Sequence, residues 1–450
     1  MSERSKSVNL TEGDITHQLM LFVWPIMLAN IFQQVYNLTN SMIVGNYINT
    51  NALSAVSSTQ SITLIANFFF YGISTASGIL VSNYYGAGEK GRVRMVIQTS
   101  LIVSFLMGIV FTAAGEIFTP WMMNLSNVNE VIYREAEIYL RVFMLGYLPL
   151  FIYNVIFFIM RSLGDSKHPL YYLMTSCIIN IILGVIFVRV LGMGVSGPAL
   201  ATVISQLIVD ILAIRALQQI DPELKFDLKH IEIDIETVKR LAELGIPAAV
   251  QNMLISLSNL VVQAYVNLFP VAAIAGIGVA NKVSTWVQIP MQSISTIGTN
   301  FVGQNLGAKK YDRVKNGIKL CNRIATIITI ICATLVFIFA EKFIAMFDTN
   351  PDVVRYGAAM TRFTVFSYVP LTWSHIYNGC CRGAGNVKIP MIIAVLCQCV
   401  AKYIFVTVGL KISFDIHIIY LSSALAFSLA GIVASLYFHL SPWTKERQLR

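Results

Sequence analysis

The chain has 450 residues, of which 56% are apolar and 12% charged, with a net charge of +9. A soluble chain carries about twice that charged fraction, and here the apolar residues gather into stretches long enough to cross a bilayer, roughly 20 residues each. A soluble globular domain is excluded, and no nucleic-acid partner is expected, because the basic residues sit in short loops without a binding motif.

In chain order, the polar opening MSERSKSVNL gives way to apolar sequence from Leu19. That sequence is too long, and lacks the cleavage site, for a secretory signal, so it reads as the first retained helix. The predicted spans are 17–43, 54–81, 95–118, 138–160, 170–190, 196–218, 242–266, 271–301, 320–340, 357–380, 388–409 and 416–438. The longest polar connection, DPELKFDLKHIEIDIETVKR at 221–240, divides them into two groups of six. The expected organisation is a segment 1–16, an N-lobe 17–218, a linker 219–241, a C-lobe 242–438 and a tail 439–450. The fold class predicted is an all-α integral membrane protein, with twelve transmembrane helices in two pseudo-symmetric six-helix bundles.

The lobes repeat each other. Pro149, Arg161, Gly164 and Pro169 recur as Pro370, Arg382, Gly385 and Pro390, and Gly86-Ala87-Gly88 with Arg92 as Gly307-Ala308-Lys309 with Arg313, each 221 residues on. A membrane-sized pattern built twice predicts two bundles facing a cavity, the architecture of a transporter. Six spans per lobe keep the repeats parallel. The terminal and even-numbered loops carry 23 Lys and Arg and the opposite loops 7, with Lys282 and Lys402 at membrane depth. Positive residues stay inside, which predicts a multi-pass plasma-membrane protein with both termini cytoplasmic.

Polar residues inside hydrocarbon are costly and mark candidate pathways. In the N-lobe, Gln33, Tyr36, Asn37 and Asn40 form a stripe at helical spacing, joined by Asn67 and by Asn180. In the C-lobe the candidates are Gln251, Asn252, Ser256, Asn281, Lys282, Trp286, His375 and Asn378. These groups can line a solvated route or simply bond helix to helix. Asp210 is the embedded carboxylate, with two readings: proton coupling, or a local ion pair with Arg215. Lys282 and Lys402 can be counter-charges or coupling sites, or can snorkel to the interface. His375 can titrate near neutrality or stay neutral as a buried group. Pro25, Pro247, Pro149, Pro370 and Pro290 are hinges or fixed bends. The seven cysteines show no disulfide framework and no metal-site spacing, so neither a metal nor a cofactor is expected.

The chain closely resembles the multidrug and toxic compound extrusion family over nearly its full length. The resemblance rests on WPIMLANIFQQVYNLTNSMIVG at 24–45, LVSNYYGAGEKGRVR at 80–94, MRSLGDSKHP at 160–169, FVGQNLGAKKYDRVK at 301–315 and CRGAGNVKIP at 381–390. It implies a prokaryotic twelve-helix exporter of cationic or amphipathic organic molecules, exchanging them for Na+ or H+ by alternating access. The motif YNLTN places Asn40 where many relatives carry aspartate. Asn180 matches a family asparagine, Gly184 stands where some relatives carry an acid, and Ser256 or its neighbour stands where others have a seventh-helix glutamate. Asparagine can coordinate cargo or sodium but cannot titrate, so coupling can rest on Asp210, Lys282 or His375 instead.

The leading expectation is thus an ion-coupled antiporter for multidrug efflux, a functional monomer embedded in membrane lipids. A polyisoprenoid-linked oligosaccharide or lipid flippase is the alternative, carried by Lys282 and Lys402 as groups for phosphate. An enzyme is not expected, for there is no HExxH, no GxSxG and no paired catalytic carboxylates.

Overall fold

A computed structural model describes residues 9–48, 50–125, 128–225 and 233–440, and they are helical almost throughout. The chain runs through α1 (Ile15–Tyr47), α2 (Thr50–Gly86), α3 (Lys90–Leu125), α4 (Glu130–Leu145), α5 (Tyr147–Ser162), α6 (Lys167–Val185) and α7 (Ser196–Ile220). It continues through α8 (Ile235–Val266), α9 (Val271–Gly307), α10 (Tyr311–Ile338), α11 (Ala340–Ala345), α12 (Pro351–Thr364), α13 (Tyr368–Gly383), α14 (Lys388–Ala394), α15 (Lys402–Ile412) and α16 (Ile416–Leu440). The repeat survives in three dimensions. The starts of α8, α9, α10, α12, α13, α14 and α16 fall 220 or 221 residues after those of α1 to α7.

Two compact units result, one centred on Met20–Ala249 and the other on Gly13–Leu19 with the chain from Val250 onward. Each buries its own apolar cluster. Ala76, Val96, Ile156, Ile159 and Leu217 meet in the first unit; Ile277, Met291, Val365, Leu371 and Tyr420 meet in the second. Much of the apolar surface nevertheless stays uncovered. On α3 the exposed Phe105, Leu106, Ile109, Val110, Ile117, Phe118 and Trp121 repeat at helical spacing. Such a face is a liability in water and is satisfied by lipid tails.

Among the described residues eight single helices are long and apolar enough to cross a membrane, and a ninth if α4 and α5 count as one bent span. The predicted spans 54–81, 271–301 and 357–380 are helical but fall outside that set. Polar side chains thin the apolar content of α9, and α13 on its own is only 16 residues long.

Three predicted spans need correction. Span 138–160 is not one rod: α4 and α5 meet at Gly146 with a bend of 47°. Pro149 has no N–H to return to the preceding turn, and Thr112 Oγ1 donates to the Met144 carbonyl at 3.0 Å beside the break. Span 357–380 is broken likewise by a 3₁₀ turn at Val365–Ser367, which ends three residues before its own Pro370. Span 388–409 is interrupted by a π-helix at Val395–Ala401. Periodicity alone does not register these breaks, because both sides of each keep an apolar face.

The predicted linker 219–241 also ends early, since α8 starts at Ile235. Asp234 starts it by accepting from the Thr237 N–H at 3.0 Å and the Thr237 hydroxyl at 2.5 Å. The Thr237 hydroxyl bond, aided by backbone N–H groups, holds the Asp234 carboxyl below its usual range. A depressed carboxyl contributes its stabilisation above the unfolded range, near about 4, and loses it as pH falls through the lower folded value. Amide exchange in the first turn of α8 should therefore quicken in Asp234→Ala at neutral pH, and in the native chain only at acid pH. Equal exchange in both at neutral pH would dismiss the cap.

The repeated turn after α2 and α9 shows the same backbone built from different residues. Gly88 takes φ +76°, and its counterpart Lys309 takes φ +57°. This is the left-handed helix end that glycine normally supplies.

Candidate functional site

In the first unit, three helices converge on one hydroxyl. Asn180 Nδ2 on α6 donates to Thr202 Oγ1 on α7 at 3.0 Å, and the Tyr36 hydroxyl on α1 lies 3.3 Å from the same oxygen. Thr202 is anchored in turn on the Pro198 carbonyl at 3.0 Å. Asn40, one turn beyond Tyr36, is in hydrogen-bond reach of the Tyr36 hydroxyl. Asn180 is 1% exposed, and its Oδ1 has no hydrogen-bond partner among the described residues. A buried amide oxygen left unmatched is a vacant acceptor, suited to a proton donor or a cation.

Around this group the wall is aromatic and apolar: Ala29, Phe32, Tyr153, Phe157, Leu173 and Cys177 pack with Tyr36. Gln33 and Asn37 continue the α1 stripe, with Gln33 Nε2 donating to Asn37 Oδ1 at 3.5 Å. Asn67 is half-buried on α2, and no hydrogen bond joins it to the group among the described residues. Asp210 lies two turns along α7 from Thr202. It forms no ion pair with Arg215, which is exposed, so the ion-pair alternative is not realised.

In the second unit the predicted residues disperse. Gln251 is buried with its Oε1 unpartnered among the described residues; Asn252 and Ser256 are half-buried. Asn281, Lys282 and Trp286 are exposed on α9, with the Lys282 ammonium 5.8 Å from the Phe347 ring centre. His375 is half-buried, and its backbone carbonyl accepts from Ser295 Oγ at 2.6 Å. Asn378 is buried and donates to Ser374 Oγ at 3.2 Å.

The embedded cation is instead Lys402, 7% exposed at the end of the π-helix. Its ammonium donates to Asn259 Oδ1 at 3.2 Å and lies 5.8 Å from the Phe427 ring centre. Ser258 Oγ donates to the Gln398 carbonyl at 3.3 Å, so two successive residues of α8 are joined to the π-helix and to the first residue of α15. Lys402→Met should therefore lower folded yield and transport more than Lys282→Met. A buried hydrogen bond to a charged group contributes about 1.5–3 kcal/mol, and the Lys282 contact lies at an exposed site. A larger loss from Lys282→Met would reverse that ranking.

A cavity of about 470 Å³ opens between α10, α13 and α16, lined by Asn322, Arg323, Thr326, Trp373 and Tyr377 among others. Trp373 Nε1 donates to Thr326 Oγ1 at 3.1 Å, and Asn322 Nδ2 to the Tyr377 hydroxyl at 3.0 Å. Flat aromatic walls with oriented polar edges suit an amphipathic organic molecule. Among the described residues no three His, Cys, Asp or Glu side chains gather as a metal-binding group.

Sequence reasoning missed Thr202 and undervalued Lys402. A threonine inside ALATVISQ is indistinguishable from one that only bonds its own preceding turn. The signal for Lys402 was present, a charge amid apolar sequence, but its asparagine partner is 143 residues away.

The comparisons follow the same lines. A curated Bacillus subtilis protein called probable multidrug resistance protein YoeA is 30% identical over 394 residues, 86% of this chain and 85% of that one. A second from the same organism, probable multidrug resistance protein YpnP, is 26% identical over 442 residues, 97% and 98% of the two chains. A solved MOP superfamily transporter from Pyrococcus furiosus superposes with a TM-score of 0.91 at 18% identity, over 99% of this chain and all of that one. The MatE family model matches twice, at residues 25–186 and 247–408, once in each half of the internal repeat. Matched over more than half its length, the chain belongs to the MatE family, the multidrug and toxic compound extrusion transporters of prokaryotes.

Proposed function

We propose that this protein exports cationic or amphipathic organic molecules from a bacterial cell in exchange for Na+ or H+, by alternating access. That it is a membrane transporter of the secondary active efflux class, and not an enzyme, follows from its family. The proposal adds the cargo class, the coupling ion, twelve crossings in two six-helix lobes, cytoplasmic termini and action as a monomer.

The observation that carries it is the Tyr36–Thr202–Asn180 group. A transporter needs polar groups at membrane depth that bind something transiently. Here three helices present such groups, and one acceptor is left vacant. Aromatic neighbours such as Tyr36 and Phe32 offer faces for a cation or a flat ring. The relatives' names point to drugs. The excess of 23 basic residues over 7 favours cytoplasmic termini. Ion and cargo would each favour one access state, and by linkage each would change the other's affinity.

The test is counterflow of fluorescent dyes in proteoliposomes under separately imposed proton and sodium gradients. Accumulation driven by one of them is the expected result. Dye movement that ignores both gradients would remove ion coupling, and no movement of any organic cation would remove the cargo class.

A further inference from the structure

We propose that Asp210 carries the coupling proton, and that Tyr153 is the donor that receives its ionised form. The inference rests on the reading of the chain as an ion-coupled exporter and names the ion and its residue.

Asp210 is 4% exposed, and neither carboxylate oxygen has a hydrogen-bond partner among the described residues. Its neighbour Val209 is fully buried among Ala29, Tyr153, Phe157, Leu170, Leu173 and Cys177. An isolated carboxylate in such a place is very costly as an anion. It requires either a proton or a metal cation. A proton needs one oxygen, whereas a hard metal cation needs several oxygen ligands gathered around it, and Asp210 supplies two.

The second observation lies on the neighbouring helix. α5 packs on α7, and it carries two buried donor atoms that are also unmatched, the Tyr153 hydroxyl and Arg161 Nε. Of the two, Tyr153 is the one in electrostatic reach of Asp210. Tyr153 belongs to the apolar cluster that buries Val209, so an orphaned donor on α5 and the orphaned Asp210 oxygens on α7 border the same cluster. With Asp210 protonated the two stay apart. When the O–H bond breaks and the proton passes to water, the carboxylate gains an acceptor charge that Tyr153 can bond. Making that contact needs α5 and α7 to shift, which converts proton loss into helix displacement.

The other titratable groups in the cluster around Tyr153 and Val209 are neutral ones: Tyr36 from α1, and Tyr172 and Cys177 from α6. At the far end of α7, Asp221 and Glu223 are engaged by Lys90 at 2.9 and 3.2 Å. Arg215 on α7 itself and Arg189 before it are exposed. Beyond them Asp165 and His168 lie 2.6 Å apart, with the His168 ring stacked on Tyr172, and on α4 Arg141 pairs with Glu137 at 2.9 Å; Asp210 differs from both pairs in having no hydrogen-bond partner among the described residues.

The test uses the purified full chain and its Asp210→Asn, Asp210→Glu and Tyr153→Phe variants. Infrared difference spectra between acid and alkaline pH should show a buried carboxylic acid band that Asp210→Asn lacks. In proteoliposomes, dye accumulation driven by a pH gradient should fall at least tenfold in Asp210→Asn and severalfold in Tyr153→Phe. Asp210→Glu, which keeps an ionisable group, should keep the pH dependence. An unchanged band in Asp210→Asn, or wild-type accumulation by it, overturns the inference. A wild-type protein that moves no dye under any gradient overturns the exporter reading instead, and the infrared arm then decides the role of Asp210 alone.

Discussion

Asn180→Ala is expected to lower transport about tenfold per inserted molecule, while insertion and folded yield stay close to native. Asn180 is fully enclosed and donates to Thr202 Oγ1, the oxygen that Tyr36 also approaches. Its removal leaves Thr202 anchored on the Pro198 carbonyl, so the helices keep their scaffold. What is lost is one buried hydrogen bond and one vacant acceptor. A bond of that kind contributes about 0.5–1.5 kcal/mol net, and roughly 1.4 kcal/mol is a factor of ten. Thr202→Val should match or exceed the effect, because it removes the oxygen on which Tyr36 and Asn180 both converge. Asn40→Ala should do less, since it touches the group only through Tyr36. Dye counterflow normalised to inserted protein measures all three. Native rates in both Asn180→Ala and Thr202→Val would detach this group from the transport path.

The second large effect concerns packing. A Cβ placed on Gly431 of α16 would come within 2.0 Å of the Pro370 carbonyl of α13. Neither backbone atom can yield without moving a helix. Gly431→Val should therefore collapse the folded yield, seen as loss of the monodisperse peak in detergent and a lowered melting temperature. Overpacking in a well-filled interior costs typically about 1–3 kcal/mol and more where backbone must move. Gly72→Val should act alike in the first unit, where its Cβ would lie 2.4 Å from the Gly245 carbonyl. Gly278, with open space around its Cβ position, is the contrast: Gly278→Ala should be neutral or slightly stabilising. If Gly431→Val and Gly278→Ala were equally stable, close helix approach would not be what holds α13 to α16.

Several of these features could be read in one dimension. The apolar stretches, their doubling at 221 residues and the polar stripe on the first span are all local or periodic properties. Periodic signals survive without knowledge of neighbours, because lipid imposes the same demand on every crossing. The breaks at Gly146, Val365–Ser367 and Val395–Ala401 were hidden, since a bent helix has the same composition as a straight one. The site was half legible. Tyr36, Asn40 and Asn180 stood out as polar residues in apolar sequence, whereas Thr202 did not, because a hydroxyl can satisfy itself on its own helix.

The sequence by itself determined the solvent, the helical class, the two-fold repeat and the family, because each follows from composition, period or order along the chain. Only the tertiary structure decided which polar residues share a partner. It joined Tyr36 to Asn180 through Thr202, gave Lys402 its Asn259, exposed Lys282, and left Asp210 with neither Arg215 nor any other hydrogen-bond partner among the described residues. The physical reason is that a hydrogen bond or an ion pair depends on separations of about 3 Å, and residues more than a hundred positions apart acquire such separations only when helices pack.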